Sequence, residues 1–315
     1  MTQKIPLNRK QDPLRQPVLG TDELMVFLNQ GLAQKVVVNN QHRQSSLNRS
    51  GAHLSTFRGS GFDYDDSRAY QPGDDLRNIN WRLMARTSEL FTKIYREERE
   101  ASMMLVIDRR SSMRFGTRSC LKVTRAVQIS AFLAGIALSQ SYSVGFTLLQ
   151  TNGQSRPPQR HKARVIDGLM GAASACPPVA AEGERESLSL ILKRLILTTP
   201  VGSRLFLLSD FHDIKEADAI MLHHLASQHQ VLAIQILDPV ELALPNDGVW
   251  LLDQFPGGTP LQINANDASV KQQYQHAMLE HQALIVDIFA KCHIPLIQAQ
   301  TDTAMDEIMR QLAYA

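Results

Sequence analysis

Two aspartates close two of the most apolar runs in this 315-residue chain. Asp108 ends SMMLVID, Asp210 ends SRLFLLSD, and Ser111 and Ser112 follow the first acid closely. Uninterrupted apolar runs of this length read as strands buried on both faces. In an open α/β sheet, ligands bind beyond the carboxyl ends of the strands. If the two strands are adjacent and central, both carboxylates face one crevice. Two acids with nearby hydroxyls then form an oxygen-rich set suited to Mg²⁺, a hard cation. The competing reading is that the acids cap the loops and helices that follow them. Other chemistries have less support. The chain has no Gly-x-x-x-x-Gly-Lys-Ser/Thr loop, no Gly-x-Gly-x-x-Gly after a strand and no His-Glu-x-x-His. A phosphohydrolase of the haloacid dehalogenase type needs a second Asp two positions after the first. Arg110 stands there, and a guanidinium cannot act as an acid or base. His223 and His224 are neighbours on a predicted helix, about 100° apart, which makes a poor metal pair.

The elements that must position these acids follow from periodicity. Residues 22–35 place Leu24, Phe27, Leu28 and Leu32 on one face and start at a capping Asp22, which predicts a short amphipathic helix. After Ala101, apolar strand patterns alternate with helical ones. Helices are expected at about 119–139, 161–173, 185–197, 214–228, 267–291 and 303–313, with Asp213 and Glu216 as a capping box for the fourth. The Asn152-Gly153 pair signals a hairpin whose returning strand carries Pro157 and Pro158, and so belongs on a sheet edge. Such alternation predicts an α/β fold built on a doubly wound, mostly parallel sheet with one antiparallel edge strand. The expected organisation is an N-terminal arm and short helix at 1–42, a small β module at 43–100, and an α/β domain at 101–315 with a β excursion at about 239–265.

Composition bounds the rest. With 43% hydrophobic and 20% charged residues, the chain can bury a substantial core, which excludes global disorder. The longest apolar helical candidate, AVQISAFLAGIAL, falls short of the roughly 18 residues of a membrane span. The N-terminal MTQKIPLNRKQDPLRQ lacks an apolar core, so no signal peptide is expected. Three scattered cysteines suit a reducing compartment, and a cytoplasmic location is the expectation. The net charge of +2 conceals a polarised chain: +3 over residues 1–100, +9 over 101–164 and −10 over 165–315. The basic block has few aromatics to act as a stacking platform, so nucleic acid is not the expected partner.

The stretch GSGFDYDDSRAYQPGDDLRNINWRLMARTSELFTKIYREERE resembles the signature of the domain of unknown function 58 family. So do a strand ending in Asp followed by Ser-Met and Phe115-Gly116, and the later LLSDFHD and LDPVELALPNDGVWLLD. The likeness spans roughly residues 45–313. Its signature positions here are Arg68, Tyr70, Pro72, Gly73, Asp74, Asp75, Arg77, Asn80, Trp81 and Arg86. Asn80 stands where the family has Asp. The alternating charges suggest an ion-pair network fixing this module, with Trp81 as an apolar anchor between modules. The resemblance implies a small β module followed by a von Willebrand factor A-like domain. It also implies association with a MoxR-type AAA+ ATPase and other von Willebrand A proteins in chaperone-like assemblies.

The metal-ion-dependent adhesion site of such a domain uses Asp-x-Ser-x-Ser, a Thr from a second loop and an Asp from a third. By that resemblance, Asp108, Ser112 and Asp210 match ligand positions. Arg110 replaces the first Ser, and Glu186 or Ser187 falls near the Thr. A guanidinium offers only donors, so the expectation is a degenerate site in which Arg110 replaces the cation between Asp108 and Asp210. The expected working surface is Asp108, Arg109, Arg110, Ser112, Arg114 and Asp210, with Arg110 receiving acidic groups of a partner. No cofactor is expected. The expected function is a non-enzymatic adaptor or co-chaperone. The alternative is a Mg²⁺-dependent phosphohydrolase or nuclease using Asp108 and Asp210.

Overall fold

The structure is a computed structural model that describes residues 19–34, 62–73, 75–97, 102–117, 119–149, 155–173, 187–244, 248–252 and 261–314. Asp74, Cys176, Glu186 and the Asn152-Gly153 turn lie outside the described residues. The chain divides into two compact units. One comprises residues 1–37 with 101–315, and the other comprises 38–100. The N-terminal helix, expected as part of a separate arm, therefore belongs to the α/β unit.

In the α/β unit, SMMLVID forms β3 (Ser102–Asp108), buried at all seven positions. Beside it lie β4 (Ser143–Leu149) and β6 (Arg204–Ser209), then β7 (Gln230–Leu237) and β10 (Leu296–Gln300), all parallel. The edge strand β5 (Ser155–Gln159), which carries both prolines, runs antiparallel to β4. The order β10-β7-β6-β3-β4-β5 makes β3 and β6 central neighbours, and the direction of winding reverses between them.

Helices cover both faces, and the alternation of β3 shows why. Met103, Leu105 and Ile107 enter a core shared with α1 (Thr21–Ala33), α3 (Lys122–Ser139) and α4 (Lys162–Ala173). Met104 and Val106 enter a second core against α5 (Leu188–Thr198), α6 (Ala219–Gln228) and α8 (Ala268–Lys291). The helix α1 lies on α3 through fully buried Leu24 and Leu28. Gly31 and Gly135 let the backbones touch: a Cβ at Gly31 would stand 2.1 Å from the Phe132 carbonyl oxygen. The N-cap of α1 is Gly20, whose N–H donates to Glu23 Oε2 at 3.3 Å, and not the expected Asp22. Past β7, the short helix α7 (Pro239–Leu242) leads to a hairpin of β8 (Val249–Leu252) and β9 (Leu261–Asn264). The helix α9 (Met305–Tyr314) closes the chain. Among the described residues no helix is long and apolar enough to cross a membrane.

The second unit is a hairpin of β1 (Phe62–Ala69) and β2 (Phe91–Glu97). A 3₁₀ turn (Leu76–Asn78) and the helix α2 (Trp81–Thr87) connect the two strands.

Candidate functional site

The β3–β6 register pairs Ile107 with Leu208, so Asp108 and Ser209 end level and Asp210 follows immediately. Asp108 is fully buried and fully engaged. Its Oδ1 accepts from the Arg110 backbone N–H (2.9 Å) and from Arg110 Nε (3.1 Å). Its Oδ2 accepts from Arg110 Nη2 (2.8 Å) and Ser209 Oγ (2.6 Å). Arg110 thus folds back on the acid two residues before it.

The other end of the guanidinium corrects the sequence expectation. Arg110 Nη1 donates to Asp213 Oδ2 at 2.6 Å, and not to Asp210. The same Asp213 oxygen accepts the Leu188 N–H at the start of α5 (3.1 Å). Asp213 is therefore not the helix cap expected from its spacing to Glu216. The 3₁₀ turn Glu216–Asp218 precedes α6, and Asp218 accepts the Lys215 N–H at 2.9 Å and the Ser189 hydroxyl. Burial alone would lower the Arg110 pKa, but Asp108 and Asp213 outweigh it and hold the charge in place. In return, Arg110 holds the Asp213 carboxyl below its usual range against the opposing effect of burial.

Asp210 has a cation of its own. Lys122, the first residue of α3 and only 2% exposed, places Nζ 2.8 Å from Asp210 Oδ2 and 2.5 Å from Glu241 Oε1. Burial opposes both charges. Lys122 nevertheless drives Asp210 well below the normal carboxylate range, and the two acids raise the Lys122 pKa. Burial raises the pKa of Glu241 even with Lys122 beside it. His212 lies above this pair, its side chain 44% exposed and Nδ1 3.2 Å from Asp210 Oδ1. Burial would lower its pKa, but Asp210 and Asp213 raise it. The intervening Phe211 has φ +54°, and it is buried edge-to-face on Phe289 with ring centroids 4.9 Å apart. A bulky residue in this region costs about 1–3 kcal/mol, and here the turn directs Asp210 and His212 to one side of the sheet end.

A third strand end has the same chemistry without a cation. Asp238, fully buried after β7, accepts from Thr117 Oγ1 (2.6 Å), Thr117 N–H (2.9 Å), Thr301 Oγ1 (2.8 Å) and Val240 N–H (3.1 Å). These hydrogen bonds, Thr117's foremost, hold its pKa low against burial.

The remaining expected residues are dispersed. Arg109 is buried with Nη1 on the Gly171 carbonyl of α4 (2.8 Å), away from the acids. Ser112 lies in a 3₁₀ turn (Ser111–Arg114), and its buried Oγ has no hydrogen-bond partner among the described residues. Arg114, half-buried on that turn, forms no ion pair among them. Ser187 caps α5. Sequence reasoning did not place Lys122, His212, Asp213 or Glu241 at the site. His212 and Asp213 lie in the LLSDFHD stretch, and Asp238-Pro-x-Glu is a capping box in which Glu241 Oε2 accepts the Asp238 N–H at 2.9 Å.

A metal ion needs lone pairs directed at it. Here both oxygens of Asp108 and of Asp210 face N–H or O–H donors, and Arg110 and Lys122 offer donors only. The crevice residues do not fit a cation. The described residues contain no cluster of three His, Cys, Asp or Glu suited to hold one.

In the second unit, Gly73 adopts φ +110° in the Pro-Gly turn, and Asp75 Oδ1 accepts the Arg77 N–H at 3.0 Å. Tyr70 N–H donates to the Leu90 carbonyl, and Arg68 Nη1 to that of Ala69. Asn80 caps α2 through Oδ1, and its Nδ2 donates to Ser67 Oγ at 2.9 Å, a bond an ionised Asp cannot make. The ion-pair network expected here is not seen among the described residues, and Asp74 lies outside them. Arg77, Arg82 and Arg86 are exposed and have no ion pair among the described residues, and Trp81 is 61% exposed.

Fold and crevice together define a doubly wound α/β protein whose switch-point acids are neutralised by its own side chains. The chain belongs to the family described as "Protein of unknown function DUF58", which matches residues 66–284. Uncharacterized protein Rv1480 of Mycobacterium tuberculosis is 28% identical over 253 residues, covering 80% of this chain and 78% of that protein. Uncharacterized protein Mb1516 of Mycobacterium bovis matches equally. Among solved structures, BatB from Bacteroides thetaiotaomicron superposes with a TM-score of 0.43 at 10% identity, over 68% of this chain and 96% of that one. An aerotolerance-related membrane protein from Bacteroides fragilis gives 0.43 at 13%, over 68% and 98%.

Proposed function

We propose that this protein is a non-enzymatic interaction module with a von Willebrand A-like α/β domain, serving in the cytoplasm as an adaptor or co-chaperone for a MoxR-type AAA+ ATPase. The observation that carries the non-enzymatic part is the saturation of the crevice. Asp108 and Asp210 are each held by an internal cation, which leaves neither carboxylate open to a metal ion or free to act as a nucleophile. The strand order, with its antiparallel edge, supports the architectural part. The partner rests on the family signature.

The same geometry changes how the crevice works. The Arg110 side chain is 9% exposed and already bridges two carboxylates. A partner acid could reach it only by displacing Asp213. On this reading the crevice is an internal clasp, and recognition falls to other surfaces.

Two measurements test the reading. The purified protein should bind a MoxR-type ATPase from the same cell and alter its ATP turnover. A screen against phosphomonoesters, phosphodiesters and nucleic acids, with and without Mg²⁺, should stay silent. Hydrolysis abolished by Asp108→Ala would establish the enzyme alternative in its place.

A further inference from the structure

The second unit presents a face that its own fold leaves unused. In α2, successive side chains are about 100° apart. Trp81, Ala85, Arg82 and Arg86 therefore share an arc of about 140°, while Leu83 and Met84 fall on the opposite side. The burial pattern agrees: the first four are exposed, the last two half-buried. The 3₁₀ turn two residues before the helix also carries exposed Arg77 and Leu76, the latter 62% exposed. The acids nearest in sequence, Asp75 and Glu89, form no ion pair with these arginines among the described residues. The Asp75 carboxylate instead caps the turn.

We infer that this face, centred on Trp81, Arg82 and Arg86, is a docking surface for an acidic protein segment that also carries an apolar side chain. Charge complementarity determines the sign of the partner. Three guanidiniums without a carboxylate partner among the described residues are matched by several carboxylates, which they can bind in forked pairs. The indole and Leu76 need an apolar side chain to cover them. Trp and Arg are the residue types that most often dominate protein interfaces. A nucleic-acid strand fits less well. Stacking platforms use successive aromatics, and Trp81 is the only large exposed aromatic here among the described residues. The inference goes beyond the adaptor reading and can fail separately from it.

The test uses the full chain on an array of random twelve-residue peptides, with no ATPase present. Bound peptides should be enriched in Asp and Glu together with an aliphatic or aromatic residue. Trp81→Ala should weaken the best of them at least tenfold. Arg82→Gln with Arg86→Gln should abolish the acidic preference, and Arg82→Glu with Arg86→Glu should turn it towards Lys and Arg. All these positions are exposed, and unchanged circular dichroism and unfolding midpoint verify the fold. A bound set with no charge bias, or one unaltered by the double reversal, overturns the inference. So does tighter binding of a labelled twelve-nucleotide single strand with a steep salt slope, which would mark the face as a nucleic-acid surface. ATPase binding that survives such a result would leave the adaptor reading intact.

Discussion

Three neighbouring strands end in buried aspartates, and the protein satisfies them in two ways. Asp108 and Asp210 are held by Arg110 and Lys122, while Asp238 is held by hydroxyls and backbone N–H groups alone. The difference lies in the donors. Those of Asp238 come from Thr117 after β3, Thr301 after β10 and Val240 at the start of α7, and none carries a charge. The two cations reach across the crevice and bind β3 to α5 through Asp213, and α3 to α7 through Glu241. Both arrangements tie separate segments together, but in the ion pairs both partners are charged, so removing one strands the other. The cationic half should therefore be the more fragile to substitution and the more sensitive to acid.

Lys122→Met should have the largest effect. It leaves Asp210 and Glu241 buried without a cation, and removing one partner of a buried pair costs about 3–5 kcal/mol. Urea unfolding measures this, and a loss below about 1 kcal/mol would show that water or Glu241 protonation relieves the site. Arg110→Ser should follow at about 2–3 kcal/mol, below the full penalty for a broken buried pair. Asp213 is 25% exposed and can turn to solvent, whereas Asp108 cannot. Asp238→Asn should cost less, about 1–3 kcal/mol, because it exchanges one acceptor for a donor among neutral partners. If it proves as costly as Lys122→Met, the contrast between the two arrangements collapses.

The pH dependence carries a definite sign. Asp210 and Asp213 have pKa values below those of the unfolded chain. Their stabilisation is complete above the unfolded value near 4 and is lost as pH falls through the folded values. His212 runs the other way. Its raised pKa gives a contribution present below about 6.5 and lost as pH rises through the folded value. Thermal unfolding from pH 3 to 8 should therefore show a steep acid limb. As pH rises through about 6.5, His229 and His281, whose pKa values burial lowers, add stability while His212 loses it. His212→Ala should make stability rise more with pH in that range than in the wild type and leave the limb, and the reverse outcome would reassign the titrating groups.

The sheet was legible because its signals are local. Apolar runs ending in Asp108 and Asp210 and the paired prolines of β5 each announce their place within a few residues. The clasp was not, because its members are far apart in sequence: Arg110 and Asp213 by 103 residues, Lys122 and Asp210 by 88. Lys122 looks like an ordinary surface residue until the start of α3 is placed under the strand ends. Asp213 satisfied a local capping pattern that the left-handed turn at Phe211 overrode. In the signature unit the charge pattern was visible, but pairing it required knowing which way α2 faces. The helix turns its arginines outward.

The glycine contact between α1 and α3 acquires a mechanical meaning from the order of the chain. Residues 38–100 leave the α/β unit after α1 and return to it at β3, so this unit is an insertion held at both ends. Its two ends meet different elements of that unit in chain order. One runs into a helix seated backbone-to-backbone on its neighbour, the other into the central strand that ends at Asp108. Threading from either terminus would have to undo one of these attachments before the insertion came free.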